Sequence, residues 1–270
     1  MDLILKDRYP VETKLSRYLI IGGGRLARHF AHYLSLLEIP FERWSRSESL
    51  KELIVKIARA ERVLLLISDS AIESFAKDVP ALEKKICIHC SGSMVIDGIP
   101  SCHPLMTFGD ELYDLKLYKS IAFICESESK AFNELLPGLA NPHAAIPRAD
   151  KPLYHALCVL SGNFTSLLWS KFFGEFGSRW GLPSDLIYPY LRQVANNLTH
   201  QGANALTGPF VRHDWQTIER NIRALEDDPY REVYEAFARV YFGPGFHSKI
   251  ELRAKSNCKI SSEPFTGGGS

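Results

Sequence analysis

Gly22, Gly24 and Ala27 stand in the pattern Gly-x-Gly-x-x-Ala, after the apolar run Tyr18–Ile21 and before a helical repeat. A glycine at 22 permits a tight turn. The missing Cβ at Gly24 lets a pyrophosphate approach the backbone, and Ala27 is small enough for close helix–strand packing. With Gly23, Arg25 and Leu26 these residues form a loop that opens a helix, whose unpaired N–H groups and partial positive charge favour phosphate. The chemistry implied is binding of a dinucleotide. About 20 residues on, an NAD-binding chain places Asp or Glu for the ribose 2′-hydroxyl. This chain has Trp44-Ser45-Arg46-Ser47 there, and Glu42 lies too early, inside the strand. Arg46 can pair with a 2′-phosphate, and Ser45 and Ser47 can donate hydrogen bonds to it. NADP(H) is therefore expected ahead of NAD(H), the alternative being that Arg46 is a plain surface arginine.

A second set of residues carries groups that suit proton transfer or substrate recognition. Ser91 and Ser93 follow the strand candidate ending at His89, at the carboxyl edge where a doubly wound sheet binds ligands. Ser91 reads equally as a turn residue. His103 precedes Pro104 in a predicted loop and can donate a proton near neutral pH, or it can stabilise that loop. His155 and Asn163 are eight residues apart on one predicted helix, ~12 Å along its axis and within ~80° of each other if the helix is regular. Thr207 begins a turn, and Arg212 can take a carboxylate or phosphate in a bidentate fashion. Asp214 reads as a helix N-cap. Cysteines stand at 87, 90, 102, 125, 158 and 258, Cys87 and Cys90 making one CxxC, and read as reduced core thiols. Cys87, His89, Cys90, Cys102 and His103 match no common zinc spacing, so no metal site is expected.

The elements that position these groups alternate at first. Strands are expected at 18–21, 41–44, 62–67, 86–89, 120–125 and 143–146. Helices are expected at 25–37, 48–60, 70–77 and 127–136. This alternation predicts a mostly parallel, doubly wound α/β sheet. From Asp150 the strand signal stops. Leu153, Leu157, Leu160, Phe164, Leu168, Phe172 and Phe176 form one long helical stripe. Ser184, Asp214 and Asp228-Pro229 then start three further helices, the first of them turning Ile187, Leu191, Val194 and Leu198 inward. The expected organisation is a leader over 1–16, a Rossmann-type domain over 17–149, an all-helical domain over 150–243 and a flexible tail over 244–270.

Composition narrows the function classes. Lys and Arg total 32 against 31 Asp and Glu, a net charge of +1 without long runs of one sign, which argues against broad binding to nucleic acid. No apolar stretch approaches the ~20 residues that span a bilayer, and no signal peptide is expected, so the chain reads as cytoplasmic.

Several segments together resemble one family. They are the glycine loop, Ser68-Asp69-Ser70-Ala71-Ile72, His89-Cys90-Ser91-Gly92, His103-Pro104-Leu105-Met106-Thr107-Phe108 and Leu206-Thr207-Gly208-Pro209. The family pairs a Rossmann-like domain with a C-terminal domain of unknown function, number 2520. It is similar to the 6-phosphogluconate dehydrogenase-like superfamily, which includes pyrroline-5-carboxylate and ketopantoate reductases. The resemblance implies an NADP-dependent oxidoreductase, a helical domain that dimerises, and a substrate cleft between domains, with Ser68 and Asp69 beside the cofactor. The chain departs from the pattern twice. The family runs from the Leu-Thr-Gly-Pro motif to Arg-Gly-Asp, where this chain has Arg212-His213-Asp214. Superfamily hydroxyacid dehydrogenases carry a lysine four residues before an asparagine, whereas Val159 stands four before Asn163. Two readings result. One is an NADP-dependent reductase of a small carbonyl or imine, with His103, Asn163, Ser91 and His155 as catalytic candidates and Arg212 and Thr207 binding substrate. The other is a nucleotide-binding regulatory or scaffold protein without turnover. The long apolar stripe predicts a homodimer through the helical domain.

Overall fold

The structure is a computed structural model that describes residues 17–246. The expected leader 1–16, residues 247–270 of the expected tail, and Cys258 lie outside the described residues. The chain divides into two compact units between Phe172 and Phe173.

In the first unit, β1 (Tyr18–Ile21), α1 (Arg25–Leu36), β2 (Phe41–Trp44), α2 (Leu50–Arg59), β3 (Arg62–Leu65), α3 (Asp69–Asp78) and β4 (Ile86–His89) alternate along the chain. The four strands pair in parallel in the order β2-β1-β3-β4. Successive residues of a strand point to opposite faces, so each strand feeds two cores. Tyr18, Ile20, Leu64 and Ile88 pack with Phe30 and Leu34 of α1 on one face. Leu19, Ile21, Val63, Leu65 and Cys87 pack with Leu53 and Ile57 of α2 and Ile72 of α3 on the other. This is why β1 and β3 read as unbroken apolar runs rather than alternating ones. The ends of α2 follow from its residues. Ser49 accepts from the Glu52 N–H while Glu52 reaches back to the Ser49 N–H, closing a capping box.

The expected single sheet is instead two. β5 (Cys102–Pro104), β6 (Phe123–Glu126) and β7 (His143–Ile146) form a second, three-stranded sheet, with β5 antiparallel to β6 and β6 parallel to β7. A lone parallel bridge joins His89 of β4 to Ser101, next to the start of β5. Residues 120–125 were expected to form one strand. The strand begins at Phe123, because Asp114 caps a short helix, α4 (Leu115–Ser120), by accepting from the Leu117 N–H. The helix expected over 127–136 shrinks to α5 (Phe132–Leu135). Glu126 C=O is taken by a turn, receiving the Ser129 N–H and hydroxyl, before the helix can start.

The long expected helix is also interrupted. It runs as α6 (Lys151–Cys158), a wider π turn over Val159–Asn163, and α7 (Phe164–Ser178), which crosses the division between the units. Gly162, a poor helix former, lies in the π turn. The stripe is not a buried one. Leu153 is 64% exposed, and Leu157, Leu160, Phe164 and Leu168 are exposed as well.

The second unit continues with α8 (Tyr188–Gln201), α9 (Trp215–Ala224) and α10 (Tyr230–Phe242). Ser184 does not cap α8, which follows a 3-10 turn over Ser184–Ile187 and has Pro189 in its first turn. Of the four residues expected to face inward, Ile187 is buried while Leu198 is exposed. Asp214 caps α9 as expected, accepting from the Thr217 N–H at 3.1 Å. Asp228 accepts from the Tyr230 N–H at the start of α10. Ile218 and Ile222 of α9, Ala238 of α10 and Phe246 make this unit's core.

Candidate functional site

The carboxyl ends of β1, β2 and β3 open onto one cavity of about 650 Å3. Its walls come from three connections. Gly22, Gly23, Gly24, Arg25 and Leu26 follow β1; Trp44, Ser45, Arg46 and Ser47 end or follow β2; Leu66, Ile67 and Ser68 follow β3, and Ala71 and Phe75 of α3 add an apolar side. A doubly wound sheet of this order binds ligands at this point, where the chain leaves β1 and β3 toward opposite faces.

The glycines divide the work in a way the geometry makes explicit. Gly22 has φ +139°, and a Cβ there would overlap the carbonyl oxygen of Leu66, so the fold itself requires glycine. Gly24 has an ordinary φ of −73° as N-cap of α1, and a Cβ there would meet nothing within 4 Å. No packing within the chain demands glycine at 24. The first turn of α1 receives no side-chain cap from Gly24 and holds no acidic residue, so its N–H groups face the loop without a built-in anion. Ala27 is fully buried against β1 and does not line the cavity.

At the far end, Ser45 and Ser47 hydroxyls lie 2.8 Å apart. Among the described residues the Arg46 guanidinium makes no ion pair, and it stands exposed at the cavity wall. The acidic side chains nearby are engaged elsewhere. Glu48 is paired with Lys56 and accepts the Ser45 N–H, and Glu42, inside β2, lies 3.6 Å from Arg59. The donor set fits a dinucleotide with a phosphorylated ribose: a glycine cradle, a helix N-terminus, two hydroxyls and one uncommitted cation. Asp69 opens α3 but does not line this cavity; its Oδ2 accepts the Ser91 hydroxyl at 2.5 Å.

A second cluster forms beyond β4. Ser91 is buried, donates to Asp69 and accepts from the Met94 N–H at 3.1 Å, so its one hydroxyl proton is committed to Asp69. His103 sits on β5 rather than in the loop expected for it. Its Nδ1 is 2.8 Å from the Tyr154 hydroxyl, and its ring lies 5.9 Å, edge-on, from that of His155. Gly92 makes room for this meeting, since a Cβ there would overlap the His155 ring. Burial holds the His103 imidazole down at about 4, with His155 and Lys151 adding to the effect, so it is neutral at pH 7. Burial and a hydrogen bond with Cys158 push the Tyr154 hydroxyl up, so it stays protonated. His89, also near 4 through burial, accepts the Ser91 N–H at Nδ1 and leaves Nε2 buried without a hydrogen-bond partner.

Two residues of this cluster were not singled out from the sequence. Tyr154 stands between the exposed Leu153 and His155 on α6, and only the fold shows that it reaches β5. Lys151, 3% exposed, donates to the Ser91 carbonyl at 3.1 Å and to the Ser101 hydroxyl, and lies 3.9 Å from Glu126. Its signal was a lysine at the head of an apolar helix.

The remaining candidates lie on other elements. Asn163 is exposed at the end of the π turn. That turn is wider than an α turn, so the regular-helix angle expected between His155 and Asn163 does not hold. Thr207 and Arg212 lie exposed in the second unit, around the turn made by Gly208 at φ +87°. His213, where the family pattern has glycine, adopts φ +52°, the left-handed region that glycine enters freely. Among the described residues no group of three His, Cys, Asp or Glu side chains is arranged to hold a metal ion.

The family model described as "Domain of unknown function (DUF2520)" matches residues 121–240. No curated protein matches. Among solved structures, a "putative NADP oxidoreductase" from Bacteroides fragilis shares 24% identity at a TM-score of 0.66, over 84% of this chain and 97% of that one. An imine reductase from Myxococcus stipitatus, solved with NADP+, shares 15% at 0.56, over 83% and 92%. Pyrroline carboxylate reductase from Plasmodium falciparum, solved with NADP, shares 12% at 0.53, over 84% and 99%. These likenesses establish the fold: a Rossmann-type domain followed by a helical region.

Proposed function

We propose that the chain, whose residues 121–240 match the DUF2520 family model, is an NADP(H)-dependent reductase of a small carbonyl or imine compound. The observation that carries this reading is the cavity at the ends of β1–β3, which joins a glycine loop, whose Gly24 no internal packing demands, to an uncommitted Arg46. The structural neighbours whose names include NADP support it, as does the presence of an imine and a pyrroline carboxylate reductase among them.

In this reading Gly22–Leu26 and the N-terminus of α1 hold the pyrophosphate, and Arg46 with Ser45 and Ser47 holds the 2′-phosphate. Ser68 lines the same cavity, and Asp69 acts on it indirectly by fixing the Ser91 turn. The bound nucleotide supplies hydride chemistry. What the chain supplies beside it is the His103–Tyr154 pair. With His103 neutral, the pair acts as a hydrogen-bond donor that polarises a C=O or C=N group, rather than as an imidazolium acid. Ser91 and His155 shape that pair, while Asn163, Thr207 and Arg212 are proposed to meet substrate.

The reading without turnover has its own support. Val159 stands where the superfamily lysine would, and neither Ser91 nor His103 offers a charged acid at neutral pH. Following NADPH oxidation at 340 nm across a panel of small ketones, aldehydes and cyclic imines separates the two. Turnover that falls by ~10²–10⁴-fold in His103→Ala supports the reductase. Nucleotide binding with no turnover on any member supports the regulatory or scaffold protein. We further propose a cytoplasmic homodimer. The five cysteines of the described residues are free, and the exposed leucines of α6 and the π turn are an apolar surface that a second copy would cover.

A further inference from the structure

Three thiols lie behind the His103 cluster, and the function proposed above uses none of them. Cys102 of β5 and Cys125 of β6 are directly opposite in the antiparallel ladder. The Leu105 N–H donates to the Ala122 carbonyl, which makes that pair a hydrogen-bonded one. Pairs alternate along the ladder, so the Cys102–Cys125 pair is of the other kind, in which Cα atoms stand about 4.5 Å apart. That separation lies within the ~4.4–6.8 Å that a disulfide accepts. Both side chains leave the same face of the sheet, and their sulfurs share a hydrogen bond at 3.0 Å. Cys90 of the same core cluster lies close by, while Cys87 packs on the opposite face of β4.

We propose that Cys102 and Cys125 form a dithiol that a small peroxide converts reversibly to a disulfide, a modification site at the back of the candidate site. The two sulfurs are not equivalent. The hydrogen bond with Cys102 draws the Cys125 thiol below its ordinary value, and the Lys151 ammonium adds to this. The same bond, together with burial, pushes the Cys102 thiol up. Cys125 is also the less enclosed, at 5% exposure against 0% for Cys102. The Cys125 thiolate therefore attacks hydrogen peroxide. An S–O bond forms, the O–O bond breaks, and the departing hydroxide takes the thiol's proton and leaves as water. The Cys102 sulfur then attacks the Cys125 sulfenic acid. An S–S bond forms, the S–O bond breaks, and the hydroxide released takes the Cys102 proton to give a second water. Two electrons pass from the two sulfurs to the peroxide, and two waters result.

The modification would be felt next door. Cys102 lies between Ser101, which receives the Lys151 hydrogen bond, and His103. Closing the sulfurs from 3.0 Å to a bond of ~2.05 Å moves them by about 1 Å, beneath the strand that carries His103.

The test uses the full, reduced chain in its folded state. It is exposed to hydrogen peroxide, quenched, denatured, alkylated with iodoacetamide, digested and read by mass spectrometry. The expected result is one new cross-linked peptide pair joining Cys102 to Cys125, with Cys87 and Cys90 still alkylated, and full reversal by dithiothreitol. Cys125→Ser should leave Cys102 without that partner; the wild-type measurement decides the matter even if the variant folds poorly. Complete alkylation of both cysteines after peroxide, or a linkage of either to a different cysteine, overturns the proposal.

Discussion

Gly22 and Gly24 belong to one motif, yet the structure gives them separable tasks. Gly22→Ala must fit a Cβ into the Leu66 carbonyl at a φ that suits glycine, and should cost at least ~2 kcal/mol in urea unfolding. Gly24→Ala meets nothing and should leave stability within ~0.5 kcal/mol while weakening nucleotide binding. Equal destabilisation by both would contradict the assignment. Arg46→Ala should weaken NADPH by about tenfold to a hundredfold, the ~1.5–3 kcal/mol of a charged hydrogen bond, and leave NADH unchanged. The buried histidines set a pH dependence. His89 and His103 titrate near 4 when folded and near 6.5 when unfolded. The unfolded chain thus binds more protons between those values. Their contribution is complete above pH 6.5 and is lost as pH falls toward 4, at ~1.4 kcal/mol per histidine per pH unit. Urea midpoints at pH 7 and pH 5 measure this, and a flat profile would show that the two rings are not held neutral.

At the scale of elements, the two faces of the first sheet are closed by α1 on one side and by α2 and α3 on the other. Leu64, central on β3 and fully buried, is the point where a cavity would be felt; Leu64→Ala should cost ~2–5 kcal/mol by thermal or urea unfolding. A cost below 1 kcal/mol would mean that the sheet is not packed as described. The first four strands and α1–α3 were legible in the sequence, because β1, β3 and β4 are short apolar runs, β2 ends at the distance from the glycine loop that the motif sets, and the helices carry apolar residues at helical spacing. What was not legible depended on partners distant in sequence. β5 is three residues long and exists only because β6 pairs with it. The α6 break is a one-turn change in helix type that an apolar stripe with a 3.6-residue period passes over without a mark. The same holds for the site. The glycine loop and Trp44–Ser47 announce themselves by spacing, whereas Tyr154 and Lys151 matter because α6 lies against β5 and the Ser91 turn. Ser91 drew notice by type, but its hydroxyl proton goes to Asp69 and its oxygen receives the Met94 N–H, which spacing does not reveal.

For the whole molecule, exposed Leu153, Leu157, Leu160 and Phe164 make an apolar surface on the first unit of a single chain. Light scattering at micromolar concentration should give twice the chain mass of 30.5 kDa, and a mass of one chain would remove the homodimer proposal. Nucleotide binding also couples to global stability: a ligand at about 100 times its dissociation constant adds ~2.7 kcal/mol to the folded state, so NADPH should raise the melting temperature of the wild type more than that of Gly24→Ala. The central claim is that the cavity at the ends of β1–β3 binds NADP(H) through the glycine loop and Arg46. Calorimetric titration of the purified protein with NADPH and, separately, NADH tests it most directly. The account predicts NADPH binding at least tenfold tighter than NADH, with the difference erased in Arg46→Ala. Binding of neither nucleotide, or a preference for NADH, would contradict it.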